Sequence, residues 1–357
     1  MATYSKEIVA GLRGRGNRVV FLHHGLPKRR GDSAPDPEDA VALRSLRVRK
    51  PFVLSVPGER ARLLNRLNKQ DFDLVHASFW FSSLDFDLPQ TCHEAGMPII
   101  ATFHVAFDRR LSLWGGITNA TYRLYAPTLS RCDRVVVLGE SQLDILAALG
   151  VPRKVLRVVP NGVDPVRYSP GPSDWKQRLG CEQLFCYMGR LDQEKNVDAL
   201  LGAFLDAKVP RSTHLVVLGS GTERRRLERS FRHPAIKFLG HVADVETRVA
   251  ILRAADAFFL PSSVEGLSLG MLEAMSCGVA TVATDVGCDG ESLRGAGIVL
   301  DPVGLEPQLR LVIRQLVDMP SLAPILGRAG RQRVLERFTL SGNLDRLTAL
   351  YSEVLAA

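Results

Sequence analysis

Ala255-Asp-Ala-Phe-Phe-Leu-Pro-Ser-Ser-Val-Glu-Gly-Leu-Ser-Leu-Gly-Met-Leu-Glu-Ala-Met-Ser-Cys-Gly278 decides how this chain is read. Its apolar opening, Ala255 to Leu260, has the pattern of a buried strand. A Pro/Ser/Gly turn follows, and then a helical pattern from about Gly270 to Met275. Glu265 therefore falls in the loop at the carboxyl end of a strand, and Glu273 in the first turns of the next helix. Open α/β sheets bind ligands at the carboxyl ends of their strands. The backbone N–H groups of Gly266, Leu267, Ser268, Leu269 and Gly270 lie between the glutamates, at a helix start that favours anionic or polar ligands. Two acceptor-only carboxylates at such a place suit a polyhydroxylated ligand.

The spacing alone is weak, because two glutamates eight apart arise by chance in many helices. The flanks are specific. Glu265-Gly-Leu-Ser-Leu-Gly-Met-Leu-Glu-Ala-Met-Ser-Cys-Gly278, preceded by Pro-Ser, resembles the Glu-x7-Glu signature of the retaining group 1 glycosyltransferases. The resemblance implies an α/β protein of the GT-B fold, with two facing Rossmann-like domains. It also implies that Glu265 holds sugar hydroxyls and Glu273 the ribose of a nucleotide-sugar donor.

The chain's 357 residues suffice for two such domains, and 46% hydrophobic with 24% charged residues is ordinary for a globular protein. No apolar run approaches the roughly 20 residues that span a bilayer. The first residues lack the apolar core of a signal peptide. Six scattered cysteines without a CxxC pair indicate neither a zinc site nor a disulfide framework. The expected setting is cytoplasmic and reducing, with peripheral attachment to the inner face of the membrane as an option.

Charge is uneven. Residues 1–170 hold 24 Lys/Arg against 16 Asp/Glu, while the rest holds 22 of each. The surplus gathers in Pro27-Lys-Arg-Arg30 and Arg44-Ser-Leu-Arg-Val-Arg-Lys50. A solvated surface explains this as well as an anionic partner does; the partner would be a phosphorylated or lipid-linked acceptor, or an acidic membrane surface meeting basic residues 13–69. Residues 51–70 read as amphipathic and basic, their apolar positions belonging to the core or, if exposed, to a membrane contact. Nucleic acid is not a partner on this reading, since the basic runs lack aromatic platforms and no binding motif appears.

Strand-like runs alternate with helical patterns throughout, which predicts parallel sheets covered on both faces. Turn-rich Pro160 to Trp175 marks the domain boundary. The expected division is 1–165, on the acceptor side, and 166–342, on the donor side, with a helix over 343–357 returning to the first domain. The opening segment Tyr4 to Gly16 already reads as a helix, with Arg18 to Leu22 as the strand after it. The resemblance leads one to expect an earlier strand and Gly-rich loop that this sequence lacks.

Gly189-Arg-Leu-Asp-Gln-Glu-Lys-Asn196 lies between the strand ending at Met188 and the helix from Val197. Cations beside free N–H groups meet the needs of a diphosphate. By resemblance, Arg190 and Lys195 neutralise the leaving nucleoside diphosphate, and Asn196 is a minor contact or the helix cap. Thr102-Phe-His104 ends a strand; the resemblance assigns His104 to the donor sugar or reaction centre, with His76 a weaker candidate. Ser78 and Asp108 are the candidates for acceptor binding. By the same resemblance His241 and Val242, after the strand ending at Leu239, would line the base pocket through backbone groups. Pro160-Asn-Gly-Val-Asp164 through Tyr168 resembles a family segment that usually ends in Phe, and Asn161-Gly162 is a tight turn by its chemistry. Gly219-Ser-Gly221 is a turn that could touch the nucleotide. Asp71-Phe-Asp73 and Asp85-Phe-Asp87 are structural, the second placed in a turn near Pro89. No His/Cys cluster suggests a metal site, and no cofactor or metal is expected.

The combined expectation is a metal-independent hexosyltransferase that moves a sugar from a nucleotide diphosphate to an acceptor hydroxyl with retention. A GT-B epimerase or phosphorylase, a truncated nucleotide-sugar-binding protein with little or no transferase activity, and a basic membrane-binding module stand beside it as alternatives.

Overall fold

The computed structural model describes residues 2–24, 40–49, 52–107 and 113–357. The Pro27 to Arg30 cluster, Lys50 and Asp108 lie outside the described residues. The chain divides into two compact units, Met1–Ala106 with Arg110–Pro160 and Ser341–Ala357, and Phe107–Arg109 with Asn161–Leu340.

In the first unit, α1 (Ala2–Gly14) buries Tyr4, Ile8, Val9 and Leu12 along one helical stripe. A parallel pair follows, β1 (Leu22–His24) with β2 (Val41–Leu43), and then an antiparallel hairpin, β3 (Ser45–Arg49) with β4 (Phe52–Ser55). The strand expected over Arg18 to Leu22 is therefore displaced towards its C-terminal end. Residues before Phe21 spend their polar groups elsewhere: Arg18 donates to the Asp71 carbonyl and Arg13 to the Val19 carbonyl. The ladder begins where the Val41 N–H reaches the Phe21 carbonyl.

After α2 (Glu59–Lys69), four parallel strands form the unit's main sheet: β5 (Val75–Phe79), β6 (Ile99–Phe103), β7 (Arg134–Val137) and β8 (Leu156–Val158), in that spatial order. The crossovers are α3 (Ser83–Glu94), α4 (Leu113–Leu129) and α5 (Glu140–Ala148). β6 is buried along its whole length, as an interior parallel strand covered on both faces must be. The apolar side of α2 is core: Leu63 and Leu67 are buried, and the helix packs on α3. This closes the option of a membrane contact through those leucines.

Asp85-Phe-Asp87 is not in a turn. Both aspartates lie inside α3, where Ser82 and Asp85 form a reciprocal capping box that satisfies the helix's first N–H groups. Pro89 does not mark a turn, because the helix accommodates it in its interior. Asp85 also accepts from the Tyr125 hydroxyl at 2.8 Å, so its role is structural.

The second unit is built on one six-stranded parallel sheet. In chain order its elements are α6 (Trp175–Leu179), β9 (Gln183–Met188), α7 (Val197–Asp206), β10 (Thr213–Leu218), α8 (Arg224–Ser230), β11 (Ile236–Gly240), α9 (Val245–Ala254), β12 (Ala257–Leu260), α10 (Leu269–Ser276), β13 (Ala280–Thr284), α11 (Asp289–Leu293), β14 (Ile298–Leu300), α12 (Leu305–Asp318) and α13 (Leu322–Arg337). The strands lie in the order β11-β10-β9-β12-β13-β14. That is the doubly wound Rossmann order, and it reverses direction between β9 and β12. Phe185 packs edge-on against Phe204 and Phe259 in the core that α7 and α12 cover. Each such buried ring stabilises by roughly 1.5–3 kcal/mol relative to exposure.

The last helix, α14 (Leu340–Leu355), packs within the first unit. Asn343 donates to the Pro160 carbonyl at 2.6 Å, Arg134 and Arg157 converge on Glu353, and a Cβ on Gly11 would strike Leu344.

Candidate functional site

The reversal point fixes where to look, because open α/β sheets bind ligands at the carboxyl ends of the strands where the strand order reverses. The Gly189–Asn196 loop follows β9, and the Pro261–Ser268 loop follows β12. They are stitched together: the Ser263 N–H donates to the Glu194 carbonyl at 2.8 Å, and Asn196 donates through Nδ2 to the Pro261 carbonyl and to Ser263 Oγ. Asn196 thus sits at the start of α7 in a left-handed conformation (φ 46°) without capping it by side chain. Its amide links the two loops instead.

Lys195 and Glu265 are brought into direct contact. Lys195 Nζ donates to Glu265 Oε1 at 2.5 Å and to the Val264 carbonyl at 3.3 Å. Ser262 Oγ donates to the same carboxylate oxygen at 2.7 Å. Arg190 is more exposed and is held by Asp192 and Glu194, the latter at 2.6 Å. The Arg190 backbone is fixed in turn, since its carbonyl accepts from the buried Tyr187 hydroxyl at 2.6 Å.

Glycines allow these loops to close on one another. The Gly219-Ser-Gly221 turn after β10 rests on the Arg190 loop: the Leu191 N–H reaches the Ser220 carbonyl, and Asp192 Oδ1 accepts from Thr222. Gly219 has φ +139°, and a Cβ there would lie 1.8 Å from the Gly189 oxygen. Only glycine fits that approach.

Helix α10 starts against the end of β9, where a Cβ on Gly270 would lie 3.3 Å from the Met188 oxygen. Ser268 is its N-cap, accepting from the Met271 N–H. Of the amides expected to face a ligand, that of Ser268 is already taken by Asp289, at 2.7 Å. Leu267 is buried, whereas Gly266, Leu269 and Glu273 are partly exposed. Tyr168 is buried, and the charges of Glu273 and Arg248 act on its hydroxyl, so the residue found here in place of the usual Phe lies near the second glutamate.

Asp289 escaped the sequence reading. It is fully buried, and burial together with the nearby Glu265 charge pushes its carboxyl well above the ordinary range. The same loop presses Gly287 against Glu265, where a Cβ would lie 2.2 Å from the carbonyl oxygen. Thr284-Asp-Val-Gly-Cys-Asp289 follows β13, so the strand-end rule that located Glu265 was the signal available. His241 is exposed after β11, and the Val242 carbonyl accepts from Arg248 at 3.0 Å.

The remaining candidates belong to the first unit. His104 is 6% exposed, meets Tyr4 edge-on at 5.4 Å, and its Nε2 has no hydrogen-bond partner among the described residues. Burial holds it neutral, at about 3. His76 is satisfied on both nitrogens, by the Tyr351 hydroxyl at 2.5 Å and Thr102 Oγ1 at 2.7 Å, and is structural. Ser78 is exposed on β5. Among the described residues no cluster of three His, Cys, Asp or Glu could hold a metal, and no helix is long and apolar enough to cross a membrane.

Residues 1–167 match the family model described as Glycosyltransferase Family 4, and residues 182–316 match Glycosyl transferases group 1. The chain thus carries a glycosyltransferase family 4 domain followed by a group 1 glycosyltransferase domain, and it has the GT-B fold, two Rossmann-like domains. It is similar to glycogen synthase of Mycobacterium tuberculosis, 28% identical over 276 residues, 74% of this chain and 65% of that protein. The chain thus spans just under two thirds of that relative's length. Sucrose-phosphate synthase from Thermosynechococcus elongatus aligns with a TM-score of 0.79 at 20% identity, covering 99% of this chain and 93% of the other. The Anabaena HepE protein, solved in complex with UDP-glucose, aligns at 0.69 and 18%, covering 83% and 82%. At these identities the structural likeness establishes fold alone.

Proposed function

We propose that this protein transfers a hexosyl group from a nucleoside-diphosphate sugar to an acceptor hydroxyl, with retention at the anomeric carbon and without a metal ion. The observation that carries the reading is the Lys195–Glu265 contact at 2.5 Å, placed with Arg190 at the reversal point of a Rossmann sheet. That a protein of the same fold was solved with UDP-glucose supports the donor class.

The carboxylates act as place-holders. Asp192 and Glu194 hold Arg190, and Glu265 holds Lys195, until diphosphate oxygens take over both cations. That exchange releases Glu265 to accept from sugar hydroxyls, while Glu273 accepts from the ribose. As the bond between the anomeric carbon and the phosphate oxygen breaks, Arg190 and Lys195 meet charge that grows in the transition state, the condition for rate acceleration. The acceptor oxygen attacks from the same face, and its proton passes to the departing phosphate. His104, neutral and with an unpartnered Nε2, is the proposed contact to the transferred sugar; His241 and Val242 are proposed for the base.

An anionic membrane surface is the proposed second partner. Leu46 and Leu54 face each other across the β3–β4 hairpin and are 64% and 48% exposed, with Arg44 beside them. Exposed leucines next to basic residues suit an acidic lipid surface.

The deciding experiment incubates the purified chain with UDP-, GDP- and ADP-sugars and a panel of acceptors, with and without EDTA. Mass spectrometry detects glycosylated product, and proton NMR reads its anomeric configuration. An inverted product, or activity abolished by EDTA, would overturn the corresponding part of the proposal; nucleotide binding without any product would favour a binding protein.

A further inference from the structure

One peptide plane in the proposed donor site is held from both sides by buried side chains. The Leu267 carbonyl accepts from Asn161 Nδ2 at 2.9 Å. The N–H of the next residue, Ser268, donates to Asp289 Oδ1 at 2.7 Å. These two groups belong to a single rigid amide. Asn161 comes from 106 positions earlier in the chain and Asp289 from 21 positions later, so neither contact is a local turn.

Both clamping residues are themselves fixed. Asn161 is 6% exposed and adjoins Gly162, where a Cβ would lie 2.6 Å from the Thr339 oxygen. Val163 then bridges to Thr339 and exchanges hydrogen bonds with Phe338 and Leu340. Asp289 is 0% exposed and opens α11, its N–H on the Val286 carbonyl, while the neighbouring Cys288 N–H holds the Gly266 carbonyl at 2.7 Å. Each also keeps an oxygen, Asn161 Oδ1 and Asp289 Oδ2, with no hydrogen-bond partner among the described residues. Leaving a buried polar atom unmet costs free energy.

We propose that Asn161 and Asp289 are positioning residues for donor binding, which clamp the Leu267–Ser268 peptide and thereby set both the Glu265–Gly266 turn and the first turn of α10 that carries Glu273. The assignment rests on the donor-site reading above. The plane lies two residues after Glu265 and includes the N-cap of α10, so its rotation would re-aim the turn and the helix start together. Neither residue touches the donor; each acts through the backbone. Asparagine reproduces the shape of Asp289 and keeps the Oδ1 acceptor without a charge to bury.

The test is titration calorimetry of the full chain with UDP, GDP and ADP, alongside amide exchange at Ser268 read by NMR in the ligand-free protein. Asn161→Ala and Asp289→Ala should each weaken nucleotide binding about tenfold and deprotect the Ser268 amide. Since both hold one peptide, the double variant should lose clearly less than the product, about 30-fold rather than about 100-fold. Asp289→Asn should stay within about threefold of wild type and keep Ser268 protected. Multiplicative losses, or single variants that bind and exchange like wild type, would overturn the clamp. Should the alanine variants not fold, Asn161→Asp, which removes the donor without changing shape, must weaken binding and deprotect Ser268 where Asp289→Asn does not. A wild-type chain that binds none of the three nucleotides sinks the donor-site reading, and Ser268 exchange in the same variants still decides the clamp.

Discussion

Lys195 and Glu265, 70 positions apart in the chain, meet at 2.5 Å with side chains only 9% and 15% exposed. A pair this sheltered is screened little by salt, and removing one partner strands the other. The pairing also gives each proposed role a resting state, in which the cation meant for phosphate and the carboxylate meant for sugar hydroxyls neutralise each other.

Loss of the carboxylate of this pair, or of Arg190, the second cation proposed for the diphosphate, should be severe. Glu265→Ala and Arg190→Ala are each expected to lower kcat/KM by at least ~10²-fold, the scale of one preorganised electrostatic contact. Steady-state kinetics with the donor found by screening measures this, and near-wild-type rates for either variant would count against the mechanism.

Glu273 should act on binding and not on the chemical step. Glu273→Ala is expected to raise donor KM about tenfold while kcat holds, as for a contact made equally in ground and transition states. The difference should vanish with a 2′,3′-dideoxyribose donor. A penalty that persists with that donor would remove the ribose assignment.

Acid should destabilise the first unit through its buried histidines. Burial lowers His76 to about 4 and His104 to about 3, below the 6.5 of an exposed imidazole. The unfolded chain therefore takes up protons first as pH falls. The stabilising contribution is complete above about pH 6.5 and is lost as pH drops through about 4. Urea unfolding at pH 7 and pH 4.5 should show it, with His76→Gln narrowing the gap. An unchanged gap would refute a titrating His76.

Vesicle association reports on the hairpin. If Leu46 and Leu54 sit on acidic lipid, sedimentation with phosphatidylglycerol vesicles should fall steeply with salt, and Leu46→Glu with Leu54→Glu should abolish it. Binding indifferent to salt or to these substitutions would exclude this surface.

Much of the fold could be read from local pattern. Continuous apolar runs such as Phe258 to Leu260 and Val135 to Val137 are buried on both faces, so hydrophobicity alone located their strands. Local pattern does not decide the conformation of a short segment whose partners lie far away. Arg18 to Phe21 looks like a strand, but its groups bond to Asp71 and to α1. Pro89 suggests a turn, yet the Ser82–Asp85 cap carries the helix through it. In the site, Glu265, Lys195 and Arg190 announced themselves by motif. Asn161 looked like a turn residue, and Asp289 carried no motif.

The sequence by itself determined the class of the sheets, the strand ends at which Arg190 and Glu265 stand, and the charged residue types gathered there. It could do so because side-chain periodicity and turn chemistry act over a few residues. Tertiary structure alone decided which cation meets which carboxylate, that α2's leucines are core, and that Asn161 and Asp289 grip the same peptide. Those outcomes depend on strand order and burial, which join segments up to 106 residues apart, and no local pattern encodes them.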